Sequence, residues 1–258
     1  MLAMIFAAGL GTRLKPFTDS HPKALFPLGG KTLLQWQIEM LREAGIRDII
    51  INVHHFAEQI TRYLADNQDF GCNILISDER DALLDTGGGL RKALHTYGAA
   101  EPMVACNVDI LSNISLPAFV EESFKFQVSS ATDALATLVV SERTTQRYLL
   151  FDGERRLKGW TNTATGELRP YTIAHADDYQ QLAFSGMQVV SPRMLQYMDE
   201  VANIMGDKFS LIDLYLHVCE RHPEEVIRAY VPTDYRMMDV GKTAQLGEAE
   251  TFVRTYLS

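Results

Sequence analysis

Cysteine is scarce in this chain: Cys72, Cys106 and Cys219 are the three among 258 residues, far apart and without a CxxC pair. That excludes a disulfide scaffold or a cysteine-built zinc site and fits reduced, buried thiols. Long apolar runs are also missing, so no segment reads as a membrane-spanning helix. Met1–Leu10 carries no basic residue ahead of its apolar run, which argues against a signal peptide, and a cytoplasmic location is expected. Positive charge is in the minority, with 24 Lys and Arg against 33 Asp and Glu, a formal net charge of -9. No nucleic acid and no membrane surface is an expected partner, because either would select for a basic face. Internal repeats, low-complexity segments and linkers rich in Pro or Gly are absent as well.

What is present is an alternation of strands and helices. Leu2–Ala8 is a short apolar run ending in glycine, as a buried strand does. Thr32 is placed to cap a helix running through Ala44, with Leu34, Ile38 and Leu41 on one face and Gly45 as its stop. Strands are expected at Ile49–Val53, Asn73–Ile76, Met103–Cys106 and Leu135–Val140. Helices are expected around Ile60, Tyr63 and Leu64, over Leu90–Tyr97 and near Leu116–Phe126. This rhythm predicts an α/β fold: a three-layer, Rossmann-like, mixed but mostly parallel sheet with helices on both faces. Later, Tyr148–Phe151 and Arg156–Trp160 straddle Asp152-Gly153 as a hairpin does. Further strands are expected at Phe184–Val190 and Val226–Val231, with a helix over Leu211–Cys219 between them and a last helix over Thr243–Tyr256. A single domain spanning 1–258 accommodates all of this.

The most informative stretch is FAAGLGTRLKPFTDSHPKAL, Phe6 to Leu25. From Met1 to Lys31 the only acid is Asp19, against Arg13, Lys15, Lys23 and Lys31. A dinucleotide fingerprint needs a third glycine running into a helix, but Leu14 and Pro16 stand there, which also weakens any nicotinamide oxidoreductase reading. A Walker A string is absent. A strand nonetheless delivers this loop to the edge of the sheet, where ligands of open α/β sheets bind. Gly9 and Gly11 allow close backbone approach, Arg13 offers a fork matched to phosphate oxygens, and Lys23 a compact charge. The loop reads as an anion site.

G-L-G-T-R-L-K-P-F-T followed by P-K resembles the signature of the sugar-1-phosphate nucleotidyltransferases. The resemblance is dense over roughly the first 110 residues and patchy beyond. It implies an enzyme whose nucleotide-binding half covers about 1–115, with a sugar-binding half and C-terminal helix over about 116–258. Its partners would be a nucleoside triphosphate and a sugar 1-phosphate. By the same resemblance Ala7, Ala8, Gly9, Gly11 and Thr12 bind the nucleotide, while Arg13 and Lys23 grip its phosphates as the catalytic pair. Asp109, following an apolar run, and Asp239, in the string MMDVG, would hold Mg2+. The family normally shows Gly-Asp where this chain has Val108-Asp109.

Other strings carry finer expectations. DTGGGL places Thr86, Gly87 and Gly88 in a glycine turn ahead of a helix, suited to a base edge. The string resembles the branch of uridylyltransferases acting on N-acetylmuramate 1-phosphate, which favours UTP and that sugar. Glu79 would accept from a base N–H or stand in solvent. Asn107, Asn162, Ser185 and Gly186 are the sugar-binding candidates. Near Asn162, Trp160 is read either as a sugar platform or as a packed hairpin residue. Lys158 lacks the family's E-K-P context, and the adjacent pair His54-His55 is assigned no chemistry. A GTP-dependent mannose or heptose 1-phosphate guanylyltransferase and a non-catalytic sensor on the same fold stand as alternatives.

Overall fold

The computed structural model describes residues 1–98, 100–128, 133–241 and 243–257. The chain begins with strand β1 (Leu2–Phe6), then a long loop leading to the short pair β2 (Pro27–Leu28) and β3 (Lys31–Thr32). Next come α1 (Leu33–Glu43), β4 (Asp48–Val53), α2 (Ala57–Asp66), β5 (Asn73–Asp78) and α3 (Asp85–Tyr97). They are followed by β6 (Met103–Asn107), β7 (Ile110–Ser112), α4 (Leu116–Val128) and β8 (Ala134–Ser141). A meander of β9 (Arg147–Phe151), β10 (Leu157–Asn162) and β11 (Glu167–Arg169) leads into the long β12 (Gln180–Val190). The chain continues through α5 (Met194–Met205), α6 (Leu211–Arg221), β13 (Val226–Tyr230), β14 (Met237–Asp239) and α7 (Leu246–Tyr256).

Alternation along β1 shows how the layers form. Ala3 and Ile5 pack into one apolar cluster, with residues of α1, α2, α4 and α7. Met4 and Phe6 point the other way, into a cluster with α3, α5 and α6. A strand buried on both faces reads as a continuous apolar run, as Leu2–Ala8 does and as Ile49–Val53 does but for Asn52. The sheet is mixed and carries helices on both faces, as the fold class requires. Its main path is β11-β10-β9-β12-β6-β1-β4-β5, and β8 joins β12 and bonds β13 on its other side. The path β6-β1-β4-β5 is parallel throughout, and β12 enters antiparallel against β6.

Local signals account for several boundaries. Thr32 Oγ1 accepts the Gln35 N–H at 3.1 Å and starts α1, and Gly45 follows its end with φ +82°. Ser210 and Asp213 form a reciprocal capping box at the start of α6. Several boundaries differ from expectation, among them β12, which begins at Gln180, four residues ahead of Phe184. The first strand ends at Phe6, before the alanines. The third helix begins at Asp85, five residues ahead of Leu90, and so contains the triple glycine. The last helix starts at Leu246, after a short 3-10 turn over Thr243–Gln245. The hairpin at Asp152-Gly153 joins β9 and β10 as expected. Helix α5 and the small strands β2, β3, β7, β11 and β14 had no counterpart among the expected elements.

Candidate active site

At the carboxyl end of β1 the chain turns sharply. Gly11 has φ +61°, and a Cβ there would stand 2.7 Å from Lys23 Cβ, so only glycine lets the loop fold back on the Lys23 turn. The Thr18 hydroxyl donates to the Gly11 carbonyl at 3.0 Å and pins the fold-back. Short 3-10 turns over Thr12–Leu14 and Lys23–Leu25 carry the two basic side chains. Arg13 is exposed; Lys23 is buried at 8% exposure. The Lys23 ammonium donates to the Asp109 carboxylate.

Beneath the loop, Asn52 organises the strand ends. Its Oδ1 accepts the N–H groups of Ala7 at 2.7 Å and Ala8 at 3.3 Å, and its Nδ2 donates to Glu79 Oε1 at 2.7 Å. Glu79 Oε2 in turn accepts the Leu84 N–H at 3.1 Å. Glu79 is only 1% exposed, and burial pushes its pKa above the usual carboxylate range despite these bonds. The solvated alternative for Glu79 is therefore excluded.

The second carboxylate comes from the far end of the chain. β14 pairs antiparallel with β7, setting Asp239 opposite Ile110, and the Val240 N–H donates to the Asp109 carbonyl at 2.9 Å. A Cβ on Gly241 would lie 2.6 Å from Asp239 Oδ1 and 2.8 Å from Arg13 Nη2, so both groups face that glycine. Asp239 sits at the exposed rim, yet its pKa is raised, first by desolvation of the carboxyl group and then by the charge of Asp109. Two carboxylates that repel each other form a hard-oxygen donor set, and a divalent cation would relieve the repulsion.

These groups surround a cavity of about 480 Å³. Of the expected nucleotide and phosphate residues, Ala8, Gly9, Gly11, Thr12, Arg13, Lys23, Glu79 and Thr86 line it, as do Asn107 and Asp109. A Cβ on Gly9 would meet nothing within 4 Å, so the space at that backbone is open. Asp239 reaches the same place through Gly241. Gly186, φ +69°, lies against Asn107, where a Cβ would approach Asn107 Nδ2 to 2.9 Å, and Ser185 beside it is fully buried.

Other expectations need correction. Ala7 does not line the cavity, and its N–H is taken by Asn52. Gly87 and Gly88 form no turn; they lie in the first turn of α3, and both their N–H groups donate to the Phe209 carbonyl, at 2.9 and 3.1 Å. A Cβ on Gly88 would stand 2.0 Å from the Asp207 carbonyl oxygen, so these glycines admit the 207–209 segment rather than a base. Asn162 is not at the cavity: its Oδ1 accepts the Ala164 N–H at 3.1 Å and closes a turn, while Trp160 packs on the second apolar cluster. Lys158 lies 3.7 Å from Asp152. His54 Nδ1 meets the Glu79 carbonyl at 2.7 Å.

Asn52 and Lys208 were missed. A polar side chain inside the run DIIINV was the available signal for Asn52, since a buried amide there must find partners. Nothing in the sequence pointed to Lys208, an exposed lysine on the segment held by Gly87 and Gly88.

Residues 2–149 match the family described as Nucleotidyl transferase. The chain belongs to the nucleotidyl transferase family. Within this family it is 40% identical over 110 residues to N-acetylmuramate alpha-1-phosphate uridylyltransferase of Caulobacter vibrioides, covering 42% of the chain and 45% of that relative. The protein of the same description from Neisseria meningitidis serogroup B is 40% identical over 118 residues, 46% of the chain and 51% of the relative. The chain spans about half the length of these curated relatives. The crystal structure of an apo UDP-glucose pyrophosphorylase superposes with a TM-score of 0.76 at 17% identity, covering 100% of both chains, and shares the fold. No helix among the described residues is long and apolar enough to cross a membrane.

Proposed function

We propose that this chain transfers a nucleotidyl group from a nucleoside triphosphate to a sugar 1-phosphate, giving a nucleotide sugar and pyrophosphate. The observation that carries the reading is the convergence of Arg13, Lys23, Asp109 and Asp239 on one end of the cavity. Asp109 and Asp239 would hold a divalent cation, with Mg2+ favoured for an all-carboxylate donor set, and the bound ion would supply positive charge to phosphate oxygens. The chain's own residues do the rest. Arg13, exposed at the rim, grips the departing pyrophosphate through its planar fork. Lys23 stands where the attacked α-phosphate is expected and offsets its growing charge. A sugar phosphate oxygen attacks the α-phosphorus in line, and the bond to the bridging oxygen of the pyrophosphate breaks. The nucleophile is already ionised, so no strong general base is required.

UTP is the favoured donor and N-acetylmuramate 1-phosphate the favoured acceptor, supported by the activity that names both bacterial relatives. The glycine string no longer supports the base, because its amides are occupied. The buried Glu79 carboxyl faces the cavity instead, and an acceptor there suits the N3–H of uracil, a donor that cytosine lacks. Asn107 and Gly186 are proposed to face the sugar. Pyrophosphate release is the test, with UTP, GTP, CTP and dTTP at equal concentration against a panel of sugar 1-phosphates. UTP with N-acetylmuramate 1-phosphate should give the highest kcat/KM. A higher value for GTP with a mannose or heptose 1-phosphate overturns the substrates, and nucleotide binding without any pyrophosphate release overturns the reaction in favour of a sensor.

A further inference from the structure

Away from the cavity, one group of three side chains among the described residues brings metal-ligating atoms together. Glu200 on α5, His217 on α6 and His222 at the end of α6 offer one ligand atom each, all within 4.8 Å of one another. Both imidazoles address a single oxygen: Glu200 Oε2 lies 3.3 Å from His217 Nε2 and 2.7 Å from His222 Nε2. Among the described residues, these two rings are the ion-pair partners of Glu200, and no lysine or arginine competes. All three side chains are half-buried, and none lines the substrate cavity.

From this convergence we infer a second metal site, for a borderline divalent transition ion of the Zn2+ type, which staples α5 to α6. Two imidazole nitrogens and one carboxylate oxygen are the mixed donor set such ions take, with a fourth position left to water. Mg2+, which demands oxygen ligands, does not suit it. The surroundings already hold the rings in place. Tyr197 packs edge-on against His222 at 4.7 Å between centroids. A metal on Nε2 leaves the ring proton on Nδ1, and for His222 that atom lies 3.8 Å from the exposed Glu224 carboxylate. The ion would take the place of the hydrogen bonds between the rings and Glu200.

The site is tested by titrating the purified, chelator-treated full chain with Zn2+ in the presence of excess Mg2+. One Zn2+ per chain should bind and raise the melting temperature. Asp109→Asn/Asp239→Asn should retain that binding, separating it from the carboxylate pair. His217→Ala, His222→Ala and the milder Glu200→Gln should each weaken Zn2+ affinity by at least tenfold and lose the thermal shift, while turnover with Mg2+ stays at the parent level. X-ray absorption at the zinc edge should show imidazole nitrogen in the first shell. Unchanged affinity in the folded histidine and Glu200 variants, a shell without imidazole, or binding lost with the aspartates would each overturn the inference, leaving the cluster as hydrogen-bonded side chains.

Discussion

The Val240 N–H donates to the Asp109 carbonyl at 2.9 Å, joining segments 131 positions apart in the chain. The bond extends the three-residue pairing of β14 with β7 and brings the carboxylates of Asp109 and Asp239 to the same end of the cavity. Proximity of the two charges is therefore a property of a small antiparallel ladder, and its consequences are measurable.

Asp109→Asn and Asp239→Asn keep side-chain shape and lose charge. Each should lower turnover by roughly 10²-fold or more and raise the Mg2+ concentration needed for half-maximal activity. Excess chelator should abolish the activity of the parent. Full activity in chelator is the result that would contradict the proposed mechanism.

Stability should respond to Asp239 in the opposite direction. Its folded-state pKa lies above the ordinary value, so folding favours the protonated form. That contribution is complete below the ordinary aspartate range and disappears as pH rises through the raised value. In chelator at neutral pH, Asp239→Asn should therefore melt at a higher temperature than the parent, and the gap should close on acidification. Melting curves across pH 3 to 8, with and without Mg2+, would measure it.

Arg13 and Lys23 should differ in what their removal does. Both Arg13→Ala and Lys23→Ala should cost roughly 10²-fold in turnover, the scale for losing one stabiliser of developing charge. Arg13 is exposed, so its variant should melt like the parent. Lys23 is buried against the Asp109 carboxylate, and removing it leaves that charge without its partner, so its variant should melt lower. Equal melting temperatures for the two would refute this distinction.

Gly88→Ala separates packing from recognition. A Cβ at that position would stand 2.0 Å from the Asp207 carbonyl oxygen, and overpacking of this kind costs about 1–3 kcal/mol. Urea unfolding should show the loss. An altered choice of base with unchanged stability would return the glycines to the role first read from the sequence.

Asn52→Ala removes the acceptor for Ala7 and Ala8 and the donor to Glu79. Unpaired buried polar groups cost about 1–3 kcal/mol each, so the variant should be markedly less stable and bind nucleotide more weakly. A KM for the nucleotide equal to that of the parent would show that Asn52 does not shape the base end of the cavity.

Much of this was legible in the chain. Leu2–Phe6 declares a strand buried on both faces because every residue is apolar, and Ile49–Val53 does so at every position but Asn52. Thr32 and Gly45 mark the ends of α1 through local hydrogen bonding and backbone freedom. The loop from Gly9 to Lys23 holds two glycines and three basic residues within 15 positions, a density that reads as an anion site. Asp109 and Asp239 stood out through the family resemblance, Asp109 after an apolar run and Asp239 ahead of Val240-Gly241.

By itself, then, the sequence determined the α/β rhythm, through hydrophobic periodicity, and the family, through a motif whose residues lie close together in the chain. Only the tertiary structure decided that Gly87 and Gly88 are packing positions, because their partners at 207–209 lie about 120 residues away. It likewise decided that Asn52 ties the loop to Glu79, that Asn162 closes a turn, and that Glu200, His217 and His222 meet across two helices. Such pairings depend on which elements the sheet and helix layers bring together. Local spacing carries no record of a partner that folding supplies from elsewhere.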